Sequence, residues 1–212
     1  MKYFFALLLV LSSCAATQLP RPAVHDGIDI RPECNVSWFG EIDEGFATKV
    51  REDLFKAHKA QCKPFQAALM SPGGSVIWSV EASQEIKRAR INGLVVAIHG
   101  RSLVASGALA VISAGSPGHR FIARNSLIVV HAMRRSGGFG EPPICIDFNT
   151  IAGKNDEEAK ILRALLFMDI TEVVENTGKP WLTVASWFTC GNEQAGPGKL
   201  LVQLGLADQE EN

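Results

Sequence analysis

Between Phe65 and His131 the chain alternates short apolar runs with helix-like stretches, and this alternation limits the fold more than any other feature. Phe65 to Met70 (FQAALM) reads as a strand that ends directly in Ser71-Pro72-Gly73-Gly74. Ser75 to Ile91 fits a helix with Val76, Val80 and Ile86 inward and Lys87, Arg88 and Arg90 outward, ended by Gly93. Leu94-Val95-Val96-Ala97-Ile98 is almost wholly apolar, as a strand covered on both faces of a parallel sheet must be. A third helix fits Ser106 to Ala114, and Phe121 to Ala123 and Leu127 to His131 read as short strands. Upstream, Asn35 to Ile42 (NVSWFGEI) predicts the first strand, and Asp43 or Glu44 can cap a helix running to about Gln61. Downstream come a polar, glycine-rich loop from Arg134 to Pro143, a long amphipathic helix from about Asp156 to Glu175, and a helical C-terminus ending at Asp208. Strands that alternate with helices predict an α/β fold of parallel-sheet βαβ units with flanking helices. The sequence shows no internal repeat and no second domain.

A chain of 212 residues suits one domain of ordinary size. Its 21 basic and 22 acidic residues leave a formal charge of -1 with no basic run, which argues against a nucleic-acid partner. No Cys-x-x-Cys spacing occurs and the five histidines form no ligand cluster, so neither a zinc site nor another cofactor is expected.

The N-terminus carries its own pattern. Met1-Lys2-Tyr3 is a short basic segment, and Phe4 to Leu11 is unbroken apolar sequence. Such a run reaches about 12 Å as a helix, too short for a hydrocarbon core of about 30 Å, so residues 1–13 read as a signal peptide. Leu11-Ser12-Ser13-Cys14 resembles the bacterial lipoprotein box, which implies cleavage before Cys14 and lipidation of its sulfur. Ala15, rather than aspartate, follows it, which resembles outer-membrane sorting and implies a lipid-anchored periplasmic location. Residues 14–33, with Pro20, Pro22, Gly27 and Pro32, read as a spacer before a domain at 34–212. Cys34, Cys62, Cys145 and Cys190 remain, an even number that permits three disulfide connectivities in an oxidising compartment. Cys34 with Cys62 and Cys145 with Cys190 is the favoured pairing, against four buried free thiols.

Two segments carry chemistry. Gly73 and Gly74, at a strand end, leave backbone amides unshielded and able to point at a developing oxyanion. Alone, such a segment is a turn. Ala105-Ser106-Gly107-Ala108 sets a hydroxyl among small neighbours at the start of an apolar helix. Alone, Ser106 is an N-cap worth about 1 kcal/mol.

Taken together, SGALAVISAGSPGHRFIARNSLIVVH from Ser106 to His131 resembles the proteolytic subunit of the Clp protease family, ClpP. Ala105-Ser106, Ala114-Gly115, Arg120, Asn125-Ser126 and His131 fall in step with that family without a gap. Gly40-Glu41-Ile42, the glycine loop and Gly205-Leu206-Ala207-Asp208 also sit where the family has similar segments, so the resemblance spans roughly residues 36–208. It implies a ClpP/crotonase-like fold and a serine peptidase, with Ser106 as nucleophile, His131 as base, and the Gly74 and Gly107 amides as oxyanion hole. The family's third member is an aspartate. Counting back from Asp208 lands on Glu193, and counting forward from Thr177-Gly178 lands on Gly191, with Asn192 between them. Glu193 is the expected acid.

The sequence departs from the family in two further places. Two extra residues lie between Gly100 and Ser106, a loop that also holds Ser102, and Gly137 to Pro143 alter the region that builds the family's stacked rings. A homo-oligomer is therefore expected without the two-ring stack. An exported domain would lack the family's ATP-driven unfoldase, which implies short peptides or unfolded segments as substrates. Exported relatives of similar fold use a serine–lysine dyad, for which Lys154 is the nearest candidate. The alternatives are a catalytically weak binding or scaffold lipoprotein and a crotonase-type acyl-CoA enzyme. CoA is not expected outside the cytosol.

Overall fold

The apolar runs form the parallel core of a seven-stranded sheet, in a computed structural model that describes residues 24–25, 28–135 and 141–212. The expected signal peptide, Cys14, most of the spacer, and residues 136–140 of the glycine-rich loop lie outside the described residues. In chain order, β1 (Val24–His25) and β2 (Ile28–Asp29) form a small antiparallel pair, followed by a 3-10 turn at Pro32–Cys34. Then come β3 (Asn35–Phe39), α1 (Glu44–Ala60), β4 (Phe65–Ser71), α2 (Val76–Ile91), β5 (Val96–Ala105) and α3 (Ala108–Ser113). The rest is β6 (Arg120–Ala123), β7 (Leu127–Val130), β8 (Met133–Arg135), β9 (Ile144–Ile146), α4 (Glu157–Thr177), α5 (Trp181–Trp187), β10 (Gln194–Gly196), α6 (Lys199–Leu204) and β11 (Gln209–Glu211).

β3, β4 and β5 run parallel, and β5 then divides its partners. Its first half, Ile98 to Gly100, pairs with β6, and its second half, Leu103 to Ala105, pairs with β7, both in parallel. β10 closes the β7 edge antiparallel, and β11 pairs with β6. Leu69 is opposite Gly100 but Ser71 is opposite Val104, so β5 carries two more residues than β4 over the same rise. This bulge absorbs the two extra residues before Ser106, with Ser102 at its turn in the left-handed region, φ 55°. Gly100 leaves room there for the ends of the Ile122, Ile112 and Val104 side chains, which would have to shift to admit a Cβ.

Four expectations change. β5 extends to Ala105 rather than ending at Ile98, because β7 supplies a partner for a stretch whose Gly-Arg-Ser sequence does not read as a strand. α3 starts at Ala108 rather than Ser106. The expected loop at 134–143 is flanked by a two-stranded antiparallel hairpin, β8 with β9. The C-terminus is not wholly helical, since β10 and β11 lie within it, drawn into strand by open sheet edges.

Asp43 and Asp156 cap α1 and α4, each accepting from the backbone N–H three residues on at 2.8 Å. α2 buries Ser79, Ala82, Ser83 and Ile86, while Val76 and Val80 are only half-buried. Small residues on that face let α2 lie close to α3 and α4. Glu172 of α4 accepts from Ser83 and Gln84 and pairs with Lys87 at 2.9 Å, tying the two helices together. Trp38, Phe65, Leu69, Ile98, Leu109, Ile112, Ile128 and Leu166 are fully buried between sheet and helices. No helix among the described residues is long and apolar enough to cross a membrane.

The C-terminal segment is locked by Arg120, whose guanidinium grips Asp208 through Nε at 3.0 Å and Nη2 at 2.5 Å. Burial alone would raise the Asp208 carboxyl, but the Arg120 side chain and backbone N–H hold it below the usual carboxylate range. A depressed carboxyl stabilises the fold above its unfolded pKa, about 3.9, and loses that contribution as pH falls through its folded value. Arg120→Met should therefore cost about 2–3 kcal/mol at neutral pH, the scale of hydrogen bonds to charged groups. Denaturant unfolding should show the gap from wild type closing below about pH 4. A gap that is constant with pH would assign the loss to packing alone.

Candidate active site

Ser106 follows the last residue of β5, and its backbone is left-handed, φ 53°. A residue other than glycine is strained there, at a cost of about 1–3 kcal/mol, and persists only where its surroundings fix it. Here they do: the Ser106 N–H donates to Val129 O at 3.0 Å, and its carbonyl accepts from the Leu109 N–H at 2.9 Å. The sharp turn from strand to helix projects the side chain above the sheet, at the carboxyl ends of its parallel strands, where α/β folds bind ligands.

The glycine loop lies directly against this turn. A Cβ on Gly73 would stand 2.5 Å from Ser106 Cβ and 2.8 Å from Ala105 O, and Gly73 itself is left-handed, φ 94°. Gly74 packs on Ile42, where a Cβ would meet the Ile42 carbonyl at 2.4 Å. The Ile42 N–H donates to Gly73 O, and Ser75 N–H donates to Ile42 O, so β3's extension clamps the loop from behind. The amides of Gly74 and Gly107 make no hydrogen bond among the described residues, and a Cβ on Gly107 would lie 3.9 Å from Gly74 N. Both amides thus stand beside Ser106, free to donate.

His131 follows β7, whose parallel register with β5 (Ala105 opposite Val129) brings it to the same end of the sheet. Ser106, His131, Gly73 and Gly74 line one cavity of about 570 Å³, closed on another side by Met133, Arg134 and Arg135 and by Leu162, Leu165 and Asp169 of α4. His131 Nδ1 lies 2.5 Å from the Ala132 carbonyl. A carbonyl only accepts, so Nδ1 carries the proton and Nε2 of the neutral ring is left as the base.

The expected bond from His131 to Glu193 is not made. Gln194 of β10 pairs with Val130, so Glu193 does fall across from His131. Its carboxylate instead takes Arg134, and both side chains are about two-fifths exposed. The next-door cation outcompetes a neutral imidazole for the charge. Asn192 donates to Ser186 O at 2.6 Å, outside the cavity. Lys154 is exposed and lines an adjoining cleft, and among the described residues no lysine lines the Ser106 cavity, so the dyad expectation has no partner there. Ser102 is exposed on the β5 bulge, outside the cavity lining.

Cys34 is joined to Cys62 and Cys145 to Cys190, with Cα separations of 5.4 and 6.0 Å. Asp29 lies beside the first pair, but both sulfurs are taken by the disulfide. The cavity residues that sequence reasoning missed are Arg134, Arg135 and the α4 positions Leu162, Leu165 and Asp169. The last three share one helix face, i, i+3 and i+7, a spacing that also fits ordinary core packing. Burial, reinforced by the charge of Glu172, pushes the Asp169 carboxyl up to about 7.

The model of the Clp protease family matches residues 29–182 of the chain. No individual curated protein matches it.

Proposed function

The chain belongs to the Clp protease family, a family of peptidases, and we propose that it is an exported serine endopeptidase of short or unfolded peptides. The observation that carries this reading is that a strained Ser106, His131 and the unengaged Gly74 amide line one cavity, with the equally unengaged Gly107 amide following Ser106 in the same turn. Ser106 Oγ attacks the peptide carbonyl carbon while His131 Nε2 takes its proton and then delivers it to the leaving amine. The Gly74 and Gly107 N–H groups stabilise the tetrahedral oxyanion, each worth about 2.7–4 kcal/mol in comparable sites. Water then repeats the attack on the acyl-serine. Labelling of the mature domain by a fluorophosphonate tests the reading. It should depend on both Ser106 and His131.

The Ala132 carbonyl fixes the histidine tautomer, and Glu193 adds charge from across the ladder while shared with Arg134. Glu193→Gln should accordingly lower kcat by roughly tenfold, well short of the about 10⁴-fold loss that follows when a triad carboxylate is amidated. A loss near the larger figure would make Glu193 the full third member, a reading its position opposite His131 supports.

Export and anchoring through Cys14 are part of the proposal. The N-terminal pattern supports them, and the two disulfides suit an oxidising compartment. Cys14→Ala should abolish incorporation of labelled palmitate in bacterial cells; unchanged incorporation would remove the anchor from the reading.

A further inference from the structure

Asp169 is 6% exposed, yet it makes no hydrogen bond or ion pair among the described residues and lines the cavity that holds Ser106 and His131. A buried carboxyl with no partner is costly, and a fold keeps one only when something compensates. Its neighbours do not. Glu172, one turn further along α4, is itself negative, and its charge is already matched by Lys87. Arg134 and Arg135, the two arginines among the described lining residues, are engaged by carboxylates outside the lining, Arg134 by Glu193 and Arg135 by Glu158. Glu41, which also lines the cavity, adds negative charge at its exposed rim. Leu162 and Leu165 continue the Asp169 face of α4 and offer apolar contact along the same wall.

We propose that Asp169, with Leu162 and Leu165, forms a specificity pocket beside Ser106 that takes a lysine or arginine side chain of the peptide. The leucines cover the aliphatic stem of such a side chain, and the carboxylate receives its charged head. The raised carboxyl fits this role: a cation seated against it favours the ionised form, so binding energy goes into discrimination against neutral side chains. The proposal rests on the peptidase reading for its position next to the scissile bond.

The test separates the two. Peptide substrates that differ only in lysine, arginine or leucine at the cleaved position are assayed with wild type and Asp169→Asn. The basic substrates should be preferred at least tenfold in kcat/KM, and the variant should lose most of that preference. Equal rates on all three by wild type, or an equal fall on all three in the variant, would overturn the pocket. In parallel, benzamidine and butylguanidine are titrated into the Ser106→Ala protein by calorimetry. Binding should weaken at least tenfold when Asp169→Asn is added, with thermal unfolding confirming that the double variant is folded. Binding without any hydrolysis by wild type would keep the pocket and discard the nucleophile, and no binding to the Ser106→Ala protein would discard the pocket whatever the hydrolysis.

Discussion

Ser106→Ala should lower peptide hydrolysis by about 10⁴-fold or more, which is at least about 5.4 kcal/mol of barrier, while leaving stability almost unchanged. The two halves of this expectation have separate causes. The activity depends on one oxygen, because among the described lining residues the one other hydroxyl is that of Ser75, an exposed residue at the start of α2 without the strained turn that holds Ser106, and no lysine is present. The stability depends on the backbone, and alanine keeps both the left-handed strain at φ 53° and the bonds to Val129 and Leu109. Ser106→Gly sharpens the contrast. It should be as inactive as alanine but more stable, by about 1 kcal/mol, because glycine adopts that conformation without strain. Kinetics with a fluorogenic peptide and denaturant unfolding of the three proteins make the comparison. Hydrolysis by the alanine variant within tenfold of wild type would end the serine mechanism, and a wild type that neither hydrolyses nor labels would leave a binding role for the fold.

The sequence was readable where a segment's own pattern and its place in the sheet agree. β4 buries every second residue, Phe65, Ala67, Leu69 and Ser71, and the first half of β5 buries Val96, Ala97 and Ile98 in succession, while α1 and α4 announce themselves by an aspartate cap and a helical period. Reading failed where the partner decides. Gly100-Arg101-Ser102 has no strand pattern, yet it lies inside β5 because β6 holds one side of the bulge and β7 the other. Gln194–Gly196 and Gln209–Glu211 are strands only because sheet edges were free to take them.

At the site, the local motifs were legible and the long-range company was not. Ser106, His131 and the glycine loop are each next to a strand end, so topology alone carries them to one edge. The occupant of Glu193 is set by Arg134, which lies on a hairpin that reads in sequence as loop. Asp169 sits in the middle of a helix, where an acidic residue is ordinarily taken for a solvated face. Only the packing of α4 against the cavity reveals it as buried.

Removing the two disulfides should have unequal consequences. In the chain-entropy account, closing loops with sequence separations of 28 and 45 residues stabilises by about 3–4 kcal/mol each. Against a total of about 5–15 kcal/mol for an ordinary domain, losing either is a large change. Cys34–Cys62 ties the 3-10 turn before β3 to the segment after α1, far from the cavity, so Cys34→Ser with Cys62→Ser should lower the unfolding midpoint and little else. Cys145–Cys190 does more. It fastens β9 to the segment leading into β10, and β9 is the one strand partner of β8, which carries Arg134 and Arg135 on the cavity wall. A two-stranded hairpin is marginal in water without further support. Cutting this tie loosens both ends of the Arg134–Glu193 pair at once, since Glu193 lies three residues beyond Cys190. Cys145→Ser with Cys190→Ser should therefore reduce kcat/KM by roughly tenfold at a temperature where the protein is still folded, in addition to the loss of stability; a tenfold change corresponds to about 1.4 kcal/mol of barrier. Equal activity in the two double variants, measured well below both unfolding midpoints, would mean that the hairpin holds its position without the bond.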